Sequence, residues 1–275
     1  MEFIKINPRR RKMRTDIRKS AESKAVLDAL NDYLEDSSNE PMRWLCRMWD
    51  DEQNAFTYAQ LRQIVIEELD PQTVFQQWYE DYADFIREKM TDQWKKGFIA
   101  GAMDNPQIAG LEGFQFSTSS TNVRNWITTR TGELITNCTS EQIEAARYII
   151  AESRSKGLSS AETARYLRPT FGLTRQQAAS NMRLYEASKK QLREEHPRMS
   201  SEAIEKKARD IAARDAAKKQ RERAMTIAMT ENAFAYNNGN DEAIRQAQEQ
   251  GYLPAMEKVW ATSRAENVCR SEERR

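Results

Sequence analysis

Few side chains that could perform catalysis occur at spacings that would let them act together. His196 is the only histidine and precedes Pro197 in a charged segment, so a Ser-His-Asp or Cys-His arrangement would need distant partners. Cys46, Cys138 and Cys269 lack metal-ligand spacing to one another or to His196. Phosphate-loop, dinucleotide-glycine and HExxH motifs are absent from the sequence. We therefore expect no catalytic, cofactor-binding or metal-binding residues, and no enzymatic activity.

Composition indicates a water-exposed protein without a strong overall charge. Charged residues make up 31% of the 275 residues, the mean hydropathy is −0.86 and the net charge is +1, so there is no global positive field to attract nucleic acid. An odd number of cysteines favours a reducing compartment over a disulfide framework. The sequence contains no membrane-length apolar run and no apolar signal core. These features predict a protein that is made in the cytosol and kept there or packaged from it, without a membrane partner.

The first twenty residues form a basic arm. Lysine and arginine greatly outnumber Glu2 and Asp16 there, and a dense run of cations forms the candidate nucleic-acid contact: Arg9, Arg10, Arg11, Lys12 and Arg14. The arm could bind phosphate or an acidic protein groove. A solvated tail is the alternative.

Helix-forming residues dominate the chain, which predicts an all-α, extended multi-helix assembly with long helices. A small β element is expected at most near the C-terminus, around 258–262. The predicted organisation is a basic arm (1–20), an N-terminal helical unit (21–103), a linker (104–121), a second helical domain (122–257) and a tail (258–275). The linker is assigned from Pro106, Gly110, Gly113 and the polar run that follows them.

Capping signals predict where several helices begin and end. Thr57 with Gln60, Thr139 with Gln142, and Thr174 with Gln177 resemble N-terminal capping boxes. Asp70-Pro71 predicts the start of a long helix that reaches Ala102. Ser200 or Ser201 begins the longest helix, and Asn238-Gly239 is expected to end it in a left-handed turn.

Aromatic residues recur at helical spacing before the linker. Core packing is one interpretation of this stripe, and a face that binds a partner is the other. For the second interpretation we select the tryptophans as anchors, because large aromatic side chains dominate interface energetics: Trp44, Trp49, Trp78 and Trp94.

Residues 159–178 imitate a helix-turn-helix pattern, with a break at Pro169–Gly172. In that interpretation Arg175, Gln176 and Gln177 would face DNA bases. Two consecutive helices packed in a bundle give the same pattern, and the break is longer than the usual turn.

The most specific stretch runs from Arg223 to Gly239 and has the periodicity of a helix that is apolar on most sides. Glu231 lies within it, and a buried carboxylate requires a cation or several hydrogen-bond donors. Arg223 and Arg264 are the candidate partners. We expect a structural ion pair here and no reaction.

This stretch is also where the chain resembles the phage Mu F-like head morphogenesis family of minor capsid proteins. The similarity spans about residues 122–269 and includes Trp126, Glu133–Asn137, Thr139–Gln142, Gly172–Thr174 and Gln177-Ala178. The family-motif residues, to which we assign structural roles, are Arg223, Thr230, Glu231, Asn237, Gly239, Trp260, Thr262 and Cys269. The sequence departs from the family at Ala265, commonly Asp, and at Glu272, commonly a second cysteine. The family's C-terminal continuation is missing, which suggests a short member or a truncated product.

The resemblance implies a low-copy capsid protein of a tailed bacteriophage. It would bind the portal protein during procapsid assembly in the host cytoplasm and reside in the virion, at the portal vertex or capsid interior. Major capsid protein, scaffolding protein and packaged double-stranded DNA are further partners that the resemblance allows. The alternative function is a helical nucleic-acid-binding protein that uses the basic arm, the 159–178 segment and the Lys206–Arg223 helix face.

Overall fold

The computed structural model describes residues 21–255, and within this range the fold is all-α without strands, which confirms the predicted fold class. The helices are α1 (Ala21–Ser37), α2 (Asn39–Ala55), α3 (Tyr58–Ile66), α4 (Pro71–Val74), α5 (Gln76–Phe85), α6 (Thr91–Met103), α7 (Thr121–Ser155), α8 (Ser160–Leu167), α9 (Arg175–Glu195) and α10 (Ser201–Glu249). A π-helical turn, Ile86–Met90, joins α5 to α6, and a 3-10 turn, Arg168–Thr170, follows α8. No helix in the described range is long and apolar enough to cross a membrane.

Local capping explains why several helices begin where they do. The Thr57–Gln60 and Thr174–Gln177 pairs both form complete capping boxes, as predicted. Asp70 accepts a hydrogen bond from the backbone N–H of Gln72, and Pro71 occupies the first helical position. These predictions are confirmed, because each signal is complete within a few consecutive residues.

Two predicted helix boundaries and one predicted continuous helix are wrong. Thr139 does not start a helix, because α7 runs without a break through it. Gly239 does not end a helix, because α10 continues ten residues further, to Glu249. The helix expected from Pro71 to Ala102 is interrupted at Phe75 and again by the π-helical turn. Residues of α7 that precede Thr139, such as Cys138, pack in one core, and residues that follow it, such as Ile143, pack in another. This packing keeps the helix continuous and overrides the local capping signal.

The longest helix, α10, supports the whole fold. At 1.5 Å per residue its 49 residues span about 74 Å. Its early alanines, such as Ala208 and Ala212, pack in a first core with α3, α7, α8 and α9. Ala224 and Ala235 pack in a second core with α2, α6 and α7, and Ala243 and Ala247 in a small third core. Each core therefore depends on a different stretch of this one helix.

The α6–α10 contact is close because glycines face each other across it. A Cβ on Gly101 would lie 1.9 Å from the carbonyl oxygen of Tyr236, and one on Gly239 would lie 2.3 Å from that of Phe98. A Cβ on Gly97 would lie 2.7 Å from the Cβ of Ala235. The role of Gly239 is therefore to let two helix backbones approach, which corrects its predicted role as a helix stop.

Residues 104–120 form a nonhelical loop that is fixed to the end of α10. Gln246 donates from Nε2 to the carbonyl of Ser117 (2.9 Å) and accepts from its N–H (2.8 Å). Ile108 packs with Ala243 and Ala247 in the third core. The helices before and after the loop share the first two cores, whereas the sequence suggested two separate units.

Candidate functional site

Arg223 joins separate pieces of the sequence resemblance in three dimensions. Its Nη1 donates to the carbonyl oxygen of Gly172 (2.8 Å), and its Nη2 donates to a carboxylate oxygen of Glu141 (2.5 Å). Its guanidinium carbon lies 5.1 Å from the ring centroid of Trp49. Arg223 is buried, so it does not belong to the exposed cationic face of α10 that the sequence suggested. Residues from α2, α7, α10 and the turn after α8 thus meet at one guanidinium.

Gly172 is required at this meeting point for two reasons. Its φ of +71° lies in the region that glycine adopts without strain, and a Cβ there would lie 2.4 Å from Cδ2 of Trp49. The turn that carries Gly172 therefore packs directly on the indole ring. The indole N–H of Trp49 also donates to the hydroxyl of Tyr82, at 2.5 Å.

Glu231 is buried and paired, as expected, but with a partner that the sequence analysis missed. Arg130 of α7 donates to both of its carboxylate oxygens, at 2.6 and 2.8 Å. The side chain of Glu231 is only 3% exposed, so this bidentate pair supplies the cation that its burial requires. Arg223 is not the partner, because it points towards Glu141 and Gly172, and Arg264 lies outside the described residues.

Asn232, next to Glu231, connects α10 to the N-terminal helices. Its Nδ2 donates to the hydroxyls of Ser37 (3.0 Å) and Ser38 (3.2 Å), and its Oδ1 accepts from Gln93 of α6 (3.4 Å). All of these groups except Ser37 are buried side chains. Hydrogen bonds inside the protein thus fix the junction between α1 and α2 against α10.

Other predicted motif residues differ in position. Thr230 and Asn237 lie on the exposed side of α10, near the 43%-exposed ring of Phe234. Nothing in the packing explains why the motif has these two residues. Trp260, Thr262 and Cys269, and the cationic arm residues Arg9, Arg10, Arg11, Lys12 and Arg14, lie outside the described residues.

Three of the four tryptophans selected as interface anchors belong to the core, which corrects that prediction. Trp49 and Trp94 are 0% exposed and Trp78 is 3% exposed, so a partner could not reach them without unfolding the protein. Phe75 stacks on Trp78, and Trp126 meets Trp94 edge-on. Trp44 is half-buried and is the anchor that remains accessible.

Trp44 lies in an open groove of about 510 Å³ between α2 and the α5–π-turn segment, which we call the Trp44 groove. Met48 and Phe85 extend its apolar floor. Most of its charged groups are carboxylates, from Asp51, Asp81, Asp84 and Glu88, and the cations are Arg47 and Lys89. The surface therefore suits an apolar and basic segment of another protein.

Glu52, in the floor of this groove, is 5% exposed, and burial raises the pKa of its carboxyl group to about 8. Burial also raises the pKa of the Cys138 thiol to about 12 and, less strongly, that of Cys46, so neither sulfur is an activated thiolate at neutral pH. His196 is exposed at the end of α9. Within residues 21–255 no group of histidine, cysteine and carboxylate side chains could hold a metal ion.

The helix-turn-helix interpretation of 159–178 is not matched by the packing of α8 and α9. Apart from an edge-on contact between Tyr166 and Tyr185, α8 packs chiefly on α3, whereas α9 packs on α7 and α10. Arg175 and Gln176 are exposed, and Arg175 lies 5.4 Å from the ring of Tyr148.

The close α6–α10 crossing and the Arg130–Glu231 pair were not predicted, and only the first of them leaves a recognisable pattern in the sequence. Gly97-x-x-x-Gly101 and Ala235-x-x-x-Gly239 place small residues one helical turn apart, a spacing that could have indicated a close helix crossing. Arg130, by contrast, is 101 residues from Glu231, and no local pattern distinguishes it from the other arginines.

Comparisons of the chain with family models, with curated proteins and with solved structures found no match.

Proposed function

We propose that this chain is a nonenzymatic assembly protein, of the minor head type, that joins a tailed-phage capsid at the portal. The observation that carries the proposal is the convergence at Arg223. Gly172 and Glu141 belong to separate pieces of the resemblance, and both bind the arginine that opens its most specific motif. Pieces that are weak singly in sequence thus meet at one buried guanidinium group.

The charged motif residues support a structural role. Arg223 and Glu231 each have an opposite charge at hydrogen-bond distance, so their ionic groups are engaged inside the fold. Arg130 engages both oxygens of the Glu231 carboxylate inside the fold, where it holds α7 against α10. This arrangement favours a rigid scaffold.

The Trp44 groove is the surface that we assign to the portal contact. It combines a half-buried tryptophan with a predominantly acidic rim, so we infer that a segment with basic and apolar side chains occupies it. Removal of the N-terminal helices cannot test this assignment, because they share cores with the remainder of the chain. Point substitutions in the groove are the appropriate test.

The experiment is co-expression of the full chain with the portal protein of the same genome, followed by affinity purification and mass spectrometry of assembled particles. We expect the chain to co-purify with the portal protein and to be present in the assembled particles. Trp44→Ala should weaken portal binding at least tenfold, because it removes the aromatic anchor. Tyr79→Ala is the matched control: Tyr79 is 50% exposed and does not line the groove. Absence from particles and from portal complexes would refute the assembly role. Equal effects of the two variants would refute the groove assignment alone.

A further inference from the structure

A second groove, which we call the Tyr58 groove, carries the opposite charge. It consists of two adjoining cavities, about 350 and 390 Å³, that share Tyr58, Arg165 and Arg209. They lie where α3 and α8 meet α10. The cationic lining residues are Arg62, Arg165, Arg168, Lys206 and Arg209, and Asp210 is the one lining carboxylate.

Most of this positive charge is not neutralised by the protein. Arg165 pairs with Glu205 at 2.7 Å, but the other four cations form no ion pair with any carboxylate of residues 21–255. Instead, Arg62 donates to the hydroxyl of Ser160 (3.2 Å) and Arg168 donates to the side-chain oxygen of Asn54 (3.4 Å). These neutral acceptors orient the guanidinium groups but do not neutralise their positive charge. Because concave surfaces focus the field of their charges, the groove is a local positive site on a molecule whose net charge is only +1.

An exposed aromatic ring lies at the centre of the groove. Tyr58 is 44% exposed, and the guanidinium carbon of Arg168 lies 4.7 Å from its ring centroid. A tyrosine ring beside a planar guanidinium offers a surface on which a nucleobase can stack, and the surrounding cations suit a phosphate backbone.

We propose that the Tyr58 groove binds a short stretch of single-stranded nucleic acid, with phosphates on the arginine and lysine side chains and a base stacked at Tyr58. An unpaired strand fits these observations better than a duplex, because a base in a duplex is already stacked and cannot reach a ring inside a concavity. An acidic peptide would satisfy the cations but would leave the exposed aromatic ring without a role. The residues of the helix-turn-helix interpretation, Arg175 to Gln177, do not line this groove.

The test is fluorescence anisotropy of the full-length chain with a labelled oligothymidine of about 12 nucleotides over a salt series. The double variant Arg168→Gln/Arg209→Gln should weaken binding at least tenfold. It should also reduce the slope of log affinity against log salt by about 1.4, the value for two lost phosphate contacts. The matched control is Lys207→Gln/Arg214→Gln, which removes the same charge from exposed positions of α10 outside the groove. It should change affinity less than twofold.

A second pair of variants tests stacking. Tyr58→Phe should retain affinity, whereas Tyr58→Ser should reduce it at least fivefold, since only the first keeps the ring. Circular dichroism establishes that each variant is folded. Four results would overturn the proposal: no binding at low salt, equal losses in the two double variants, equal affinities of the Tyr58 variants, or displacement of the oligonucleotide by polyglutamate as readily as by unlabelled oligothymidine.

Discussion

Glu52 is a buried carboxyl group with incomplete hydrogen bonding. Its Oε2 accepts from Nε2 of Gln142 at 2.9 Å, while its Oε1 and the Oε1 of Gln142 both lack a partner. A proton on Oε1 of Glu52 would turn that atom into a donor, and the neighbouring Oε1 of Gln142 could accept from it. The pKa of about 8 agrees with this, because it keeps the proton on Glu52 at neutral pH.

This proton makes stability depend on pH in a defined direction. The folded-state pKa of about 8 exceeds the ordinary value of 4.5, so the unfolded state releases the proton first, and stability falls as pH rises between these values. Glu52→Gln removes that loss and supplies a permanent N–H donor. We expect the variant to gain about 2–4 kcal/mol over the wild type between pH 5 and pH 9, measured by urea denaturation at each pH.

Asp51→Asn serves as the control for the Glu52 prediction, because Asp51 is an exposed neighbour in the same groove. It should show no comparable change between the two pH values. A difference between Glu52→Gln and wild type that stays constant from pH 5 to pH 9 would show that Glu52 is ionised in the folded protein.

At the scale of elements, the α6–α10 crossing depends on residues without side chains. Gly239→Ala should destabilise the fold by at least about 2 kcal/mol, because the new Cβ would meet the backbone of Phe98 at 2.3 Å. Gly132→Ala is the matched control: Gly132 also lies inside a helix, α7, but nothing lies within 4 Å of its Cβ position. It should stabilise the protein by about 0.5–1 kcal/mol through helix propensity. Thermal and urea denaturation measure the stability of each variant. Similar effects of Gly239→Ala and Gly132→Ala would contradict a close crossing of α6 and α10.

These elements also show how far sequence reasoning reaches. The capping boxes at Thr57 and Thr174 were predictable because donor and acceptor are three residues apart. The signals at Thr139 and Gly239 are also complete within a few residues, but burial against distant helices decides their outcome. The burial and pairing of Glu231 could be predicted from its apolar surroundings. Its partner could not, because the choice of Arg130 follows from how α7 and α10 pack.

At the scale of the molecule, the two halves of the chain do not have independent cores. Trp49, Tyr82 and Trp94, which precede the 104–120 loop, pack with Val123, Leu134 and Ala224, which follow it. A fragment of residues 111–275 would therefore expose a large apolar face of α7 and α10. We expect it to lack a cooperative thermal transition and to bind a hydrophobic dye, and we expect the full chain to melt cooperatively. A fragment with native-like near-UV circular dichroism and a sharp melt would show that the second half folds alone.

The unbroken course of α10 also restricts how the chain can change in length. Each residue added to or removed from an α-helix rotates everything beyond it by about 100°. An insertion near Ala216 would therefore turn Arg223, Glu231 and Gly239 away from Glu141, Arg130 and Phe98 together. Related genes should accumulate length differences in surface turns such as residues 196–200, while the spacing between Ala208 and Ala247 stays constant.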